Sequence, residues 1–234
     1  MLDMEIASKR FGFDVASIEQ GSDDWKRMRL GVISASRVGD ILTEPKAKKD
    51  KEAGLLSGMA QTYLNELVAE ICTIPTFDDI PARPLLWGRN NEAAARELFC
   101  FEHDLEVKEV PFIYKDESMR MGSSPDGMCS DGRPLEIKCP YTSAQYISMV
   151  VGGLDAIKSA YHAQVNFQMY CTGTSELWFV NFDPRMKKAN MVDFLVKRDD
   201  EICEKFDLKI PKFIEMMDER LDMLGFKFGD QWGE

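Results

Sequence analysis

The stretch Ser124-Pro-Asp-Gly127 through Leu135-Glu-Ile-Lys138 constrains this chain more tightly than any other. Asp131-Gly132 between its two halves is a strong hairpin signal. A three-residue loop, Ser130 to Gly132 with Gly132 left-handed, sets Cys129 opposite Arg133 and Asp126 opposite Glu136. Residues so opposed share a sheet face, with Cβ atoms about 5 Å apart. A two-residue loop would slip the pairing by one and part the carboxylates, so the longer loop is the expectation. By the strand period Glu136 and Lys138 share one face while Leu135 and Ile137 point to the core. Two carboxylates held side by side repel, and a divalent cation relieves the repulsion. Two acids and an amine so placed are the groups that metal-assisted hydrolysis of a phosphodiester needs. Singly, Ser-Pro-Asp-Gly is an ordinary type I turn and Glu-x-Lys a solvated strand face. Together, within the apolar run 135–139, they favour the chemical reading.

Composition narrows the rest. The 234 residues suffice for one large domain, and 44% hydrophobic with 10% aromatic content supports a substantial core. No apolar stretch approaches the 18 or so residues of a membrane span, and Met-Leu-Asp-Met-Glu does not read as a secretory leader. The six cysteines lie among apolar neighbours without a Cys-x-x-Cys pair, which argues for reduced thiols in the cytoplasm. With His103 and His162 as the only histidines, any metal is held by oxygen, meaning Mg²⁺ or Mn²⁺. The net charge of −11 opposes nucleic-acid binding on average, but the charge is unevenly spread. Residues 26–51 carry Lys26, Arg27, Arg29, Arg37, Lys46, Lys48, Lys49 and Lys51 against Asp40, Glu44 and Asp50. An acidic body with a basic lining can take DNA inside and repel it outside.

Along the chain, 22–43 reads as two helical pieces broken at Gly31, with Ser22 as N-cap and Ser34 or Ser36 opening the second. Residues 45–58 form a polar Lys-rich loop, 59–71 an amphipathic helix, 75–84 a connector and 86–101 a second helix. Strands follow at 106–114, 119–123 and 134–139, helices at 142–150 and 155–171, and strands at 176–182 and 191–197. A terminal helix over 199–224 is expected to break near Pro211. Helices followed by a mixed β-sheet flanked by further helices imply an α/β (α+β) single domain.

Asp126 with Glu136-Ile-Lys138 resembles the PD-(D/E)xK nuclease signature. Arg29-Leu-Gly-Val-Ile-Ser-Ala-Ser36, Trp87-Gly-Arg-Asn-Asn-Glu92, Tyr114-Lys-Asp-Glu-Ser-Met-Arg120, Asp183-Pro-Arg-Met-Lys187 and Phe226-Lys-Phe-Gly-Asp-Gln-Trp232 are more specific. They closely resemble the phage lambda exonuclease and YqaJ-type viral recombinase family, from about residue 14 to the C-terminus. Shared chemistry alone would not reproduce a turn such as Asp-Pro-Arg-Met-Lys.

That resemblance implies a restriction-endonuclease-like PD-(D/E)xK core and an ATP-independent, Mg²⁺-dependent 5′→3′ exonuclease. The substrate would be double-stranded DNA ends, the assembly a ring-shaped homotrimer, and the partner a phage-type single-strand annealing protein. Residues 1–234 would form one nuclease domain: helices and Lys-rich loop 1–60 lining the DNA channel, a catalytic core over about 61–198, and a C-terminal helical part 199–234. Two ions would be held by Asp126, Glu136, the backbone carbonyl of Ile137 and Glu92, with Lys138 orienting or deprotonating water or steadying phosphorane charge. Arg29, Ser36, Ser124 and Gln164 match the family's 5′-phosphate contacts, Lys46 a DNA-guiding Arg, and Leu85 a wedge that parts the end base pair. Where the family places a Tyr after that Gln, this chain has Phe167 and Gln168. Bland readings stand beside these: a helix-terminal Glu92, an ion-paired Arg29, capping serines and a core Leu85. The rival functions are a structure-specific or restriction-type endonuclease of the same fold and a non-enzymatic DNA-end or partner-binding protein.

Overall fold

The computed structural model describes residues 2–77 and 82–233. The hairpin forms as the turn chemistry requires. In β5 (Gly127–Cys129) and β6 (Pro134–Lys138), Gly127 pairs with Leu135 and Met128 with Pro134. The Cys129 N–H donates to the Arg133 carbonyl at 2.8 Å, and the Gly132 N–H to the Cys129 carbonyl at 2.9 Å. Gly132 has φ +85°, a left-handed value that closes the three-residue loop.

β6 runs parallel to β7 (Glu176–Phe182), with Glu136 opposite Phe179 and Lys138 opposite Asn181. A parallel neighbour needs a crossover, and α7 (Ser143–Thr172) supplies it. β8 (Met191–Lys197) pairs antiparallel with β7, and β2 (Val107–Lys108) pairs with β5, giving the order β2-β5-β6-β7-β8. α6 (Arg83–His103) packs Ala95 and Phe99 on Leu135, Ile137 and Val180. On the other face α7 packs Val165 and Met169 on Leu177 and Phe179. β6 is therefore covered on both faces, and Glu136 within it is only 2% exposed.

A second sheet, ordered β1-β4-β3, joins β1 (Ile33–Ser34), β4 (Met121–Ser123) and β3 (Ile113–Tyr114). α5 (Gly58–Cys72) buries Tyr63, Leu64, Leu67, Val68 and Ile71, the stripe its periodicity predicts. It packs against α3 (Val38–Leu42) and α8 (Asp200–Leu224), where Phe206 and Phe213 are buried.

Several local expectations are revised. α8 runs unbroken through Pro211, which lies on the solvent side, so the carbonyl left without a donor at exposed Asp207 faces water while Ile210 and Phe213 stay buried. The second helical piece of 22–43 is preceded by β1 and begins after Arg37, not at a serine. The 106–114 strand divides into β2 and β3. The Lys-rich loop contains one helical turn, α4 (Lys48–Glu52), and Glu44 accepts ion pairs from Lys51 and Lys209. α6 starts at Arg83, and residues 78–81 of the expected connector lie outside the described residues. The two helices expected over 142–171 meet at Gly153, whose φ of 54° and ψ of −137° are non-helical.

Candidate active site

Asp126 follows Ser124-Pro125, an extended link from β4 to β5 where the sequence suggests a type I turn, and lies one residue beyond the last ladder pair of the hairpin. Its N–H donates to the Leu135 carbonyl at 2.9 Å, and its Oδ2 accepts from the Ile137 N–H at 2.6 Å. The carboxylate is thereby fixed against β6. Glu136 points to the α7 side. Its Oε1 accepts from Gln164 Nε2 at 2.7 Å and pairs with Lys138, and its Oε2 accepts from Gln168 Nε2 at 2.5 Å. Gln164 and Gln168, four residues apart, share one helix face. A buried carboxylate demands such donors.

Glu92 enters from α6. Because α6 begins at Arg83, Glu92 lies well past the first turn, so helix-terminus electrostatics do not account for it. It lines a cavity of about 460 Å³ with Asp126, Gln20, Trp25, Leu85 and Arg96. Leu85 is 51% exposed at the mouth of that cavity.

The charges are mutually dependent. Burial, then the Glu136 charge and that of Glu92, push Asp126 well above the usual carboxylate range against the pull of Lys138. Burial and Glu136 also raise Glu92. Burial draws Lys138 down, but Glu136 and Asp126 outweigh it and hold the ammonium above its ordinary value. Glu92, Glu109, Asp126 and Glu136 still outnumber Lys138, Arg89 and Arg96 here, and the surplus carboxylate oxygens suit hard divalent cations. Among the described residues no three acidic, His or Cys side chains already converge tightly enough to hold an ion. Glu136 is instead engaged by Lys138 and two glutamines, so an incoming cation would displace the ammonium from Oε1.

A second cavity, of about 590 Å³, is lined by Lys26, Arg29, Ser36, Arg37, Tyr63 and Glu70. The Arg29 guanidinium stacks 4.0 Å from the Trp25 ring and 5.8 Å from Phe112. Burial lowers its pKa, opposed by Tyr63 and Glu70. Among the described residues its Nε has no hydrogen-bond partner. A desolvated guanidinium with an unused donor is a receptor for an anion. Ser36 lines the same cavity; Ser124 does not, but accepts from Trp25 Nε1 at 3.1 Å and so meets Arg29 through the indole. Gln164 faces Glu136 rather than this cavity. Lys46 is exposed between α3 and α4, outside both cavities.

Sequence reasoning missed Trp25, which lines the Asp126 cavity while stacking on the guanidinium of the other, and Gln168. The four-residue Gln164–Gln168 spacing was a signal for a shared target, but nothing local named Glu136 as that target. The histidines sit elsewhere, His103 on Asp193 at 3.1 Å and His162 on Asp199 at 3.0 Å, and all six cysteines are free thiols.

A mixed sheet flanked by helices, shared with alkaline exonucleases, places the chain among nucleases of the PD-(D/E)xK type, hydrolases acting on DNA. The YqaJ-like viral recombinase domain matches residues 24–175, and the chain belongs to that family. It resembles the alkaline exonuclease LHK-Exo of Laribacter hongkongensis, at 27% identity over 87% of this chain and 96% of that one, with a TM-score of 0.72. For LHK-Exo in complex with dAMP the TM-score is 0.74, at the same identity and coverage. A phage related exonuclease from Haemophilus somnus 129PT shares the fold at a TM-score of 0.68 and 16% identity, over 82% and 96% of the two chains. An uncharacterized protein of Escherichia coli (strain K12), ExoD, is 45% identical over 82 residues, 35% of this chain and 94% of its own. Among the described residues no helix is long and apolar enough to cross a membrane.

Proposed function

We propose that this chain is an ATP-independent 5′→3′ exonuclease that needs Mg²⁺, with Mn²⁺ able to replace it. It digests one strand of linear double-stranded DNA from 5′-phosphorylated ends and leaves 3′ single strands for annealing-type recombination. The observation that carries the reading is the adjacency of two sites: the carboxylate cluster, and a cavity presenting a desolvated guanidinium with an unused donor, bridged by Trp25. A terminal phosphate held by Arg29 leaves the first internucleotide linkage to reach the carboxylates.

Asp126, Glu136, Glu92 and the Ile137 carbonyl would hold two ions per site, and bound ions supply an activated water and stabilise the leaving oxygen. The chain's own groups do the rest. The Ile137 N–H fixes the Asp126 carboxylate, and Gln164 and Gln168 fix Glu136. Lys138, paired with Glu136 in the absence of ions, would be released once ions occupy that carboxylate and could then orient or deprotonate the water or steady phosphorane charge. Ser36 and Ser124 add donors around the terminal phosphate, while Gln164 stays engaged on Glu136. Leu85 parts the end base pair at the mouth of the Asp126 cavity, and Lys46 guides the duplex through nonspecific attraction. The unit is a single nuclease domain that assembles as a homotrimeric ring, works with a single-strand annealing protein, and acts in the cytoplasm of a bacterial host as a phage or prophage product.

One plasmid in two forms tests this. With Mg²⁺ and no ATP, the linear form should be degraded and the covalently closed circle left intact. Cleavage of the circle would transfer the site to the endonuclease reading.

A further inference from the structure

Arg29 directly follows α2 (Asp23–Met28), and a helix end leaves its last carbonyls short of donors. Here side chains from distant parts of the chain take up those carbonyls. The Arg27 carbonyl accepts from Trp232 Nε1 at 3.0 Å and the Leu30 carbonyl from Gln231 Nε2 at 3.1 Å. The Met28 carbonyl accepts from the Tyr114 hydroxyl at 2.5 Å, and the Gly31 N–H donates to Glu70 at 2.7 Å. Every residue flanking Arg29 is held by an outside group, and two of the four groups come from the tail.

The tail is itself rigidly set. The Gly229 N–H donates to Gln231 Oε1 at 2.8 Å, so the amide of Gln231 is used at both ends. Gly229 has φ +106°, and a Cβ there would come within 2.7 Å of Arg10. The Trp232 ring meets Phe11 and Phe228 edge-on, at centroid separations of 5.2 and 5.1 Å. Neither Gln231 nor Trp232 can act as an acid, a base or a nucleophile. What they share is the backbone on either side of a guanidinium. A guanidinium binds a phosphate well only when its planar fork meets two oxygens, so small rotations at its Cα, carried along the side chain, forfeit the second contact.

We propose that Gln231 and Trp232 are positioning residues for Arg29 and thereby set how strongly the enzyme prefers a 5′-phosphate monoester to a 5′-hydroxyl end. The inference rests on the reading of Arg29 as the terminal-phosphate ligand.

The test uses the full chain and two linear duplexes that differ only in the 5′-phosphate. The variants are Gln231→Met, Trp232→Phe and Arg29→Ala. Hydrolysis is followed on both duplexes, and binding of each is measured by fluorescence anisotropy in EDTA. Arg29→Ala should erase the preference. Each tail variant should reduce the preference, in kcat/KM and in affinity, by about three- to tenfold, the effect of losing roughly one net hydrogen bond. That loss should lie in KM for the phosphorylated end, with kcat and hydrolysis of the 5′-hydroxyl end nearly unchanged. Tail variants that keep the full preference while Arg29→Ala erases it overturn the proposal and leave the phosphate reading intact. Equal slowing on both ends reduces the tail to a structural role and also overturns it. If Arg29→Ala keeps the preference, the phosphate reading falls and the proposal with it. Since Trp232→Phe keeps the aromatic packing and Gln231→Met the side-chain length, either variant suffices if the other does not fold.

Discussion

The hydrogen bond from Gln168 to Glu136 is the contact whose removal is easiest to interpret. Gln168 is 1% and Glu136 2% exposed, so solvent cannot replace a lost donor. A hydrogen bond to a charged group contributes about 1.5–3 kcal/mol. Gln168→Met keeps the length and volume, so the packing cost is small. It also removes Gln168 Oε1, a buried atom with no partner among the described residues, which returns roughly 1 kcal/mol. The expected net loss is about 0.5–2 kcal/mol at neutral pH, read as a shift in the urea midpoint with an unchanged slope. A double-mutant cycle with Glu136→Gln isolates the pair, and the coupling should be at least about 1 kcal/mol. The nuclease rate should fall with the stability, because a loosened Glu136 samples orientations useless to a cation. If Gln168→Met loses nothing, or loses the same amount in the Glu136→Gln background, the amide clamp is not what holds this carboxylate.

Other consequences follow from single residues. Asp126→Ala should abolish hydrolysis of linear DNA while the far-ultraviolet circular dichroism stays native; full activity would remove the mechanism. Leu135→Ala, in a strand covered on both faces at a fully buried position, should cost about 2–5 kcal/mol in chemical unfolding. Burial pushes the Tyr63 phenol up to about 12, against the Ser34 N–H that favours the ionised form. Its contribution to stability is therefore complete below the unfolded value near 10 and is lost as pH rises through about 12. Urea midpoints between pH 10 and 12 should fall more steeply for the wild type than for Tyr63→Phe, by about 2–3 kcal/mol in all. Gly31→Ala should cost at least about 2 kcal/mol, since φ is +69° and the new Cβ would lie 2.5 Å from Ile71 Cγ1.

The hairpin was legible because its information is local. Asp131-Gly132 fixes the loop, the loop fixes the register, and the register carries Asp126 to the level of Glu136. Helix starts marked by capping side chains were legible too, as at Ser22, whose hydroxyl accepts from the Trp25 N–H. Signals weaker than tertiary packing misled: Pro211 predicts a break, but buried neighbours on one face keep α8 continuous. The partners of Glu136 were beyond local reading, because Gln164 and Gln168 lie 28 and 32 residues away and meet it only once α7 crosses back over the sheet. The support of Arg29 by the tail, more than 200 residues on, is less legible still. Motifs in a sequence name the reacting groups sooner than the groups that hold them.

On the proposed mechanism, Glu92, Asp126 and Glu136 would gather divalent cations beside Lys138. A crystal soaked in Mn²⁺ and measured at the manganese absorption edge tests it directly. Two anomalous peaks bounded by those three carboxylates are expected, with Lys138 moved off Glu136. Anomalous density that avoids Asp126 and Glu136, with the ammonium still paired to Glu136, would contradict it.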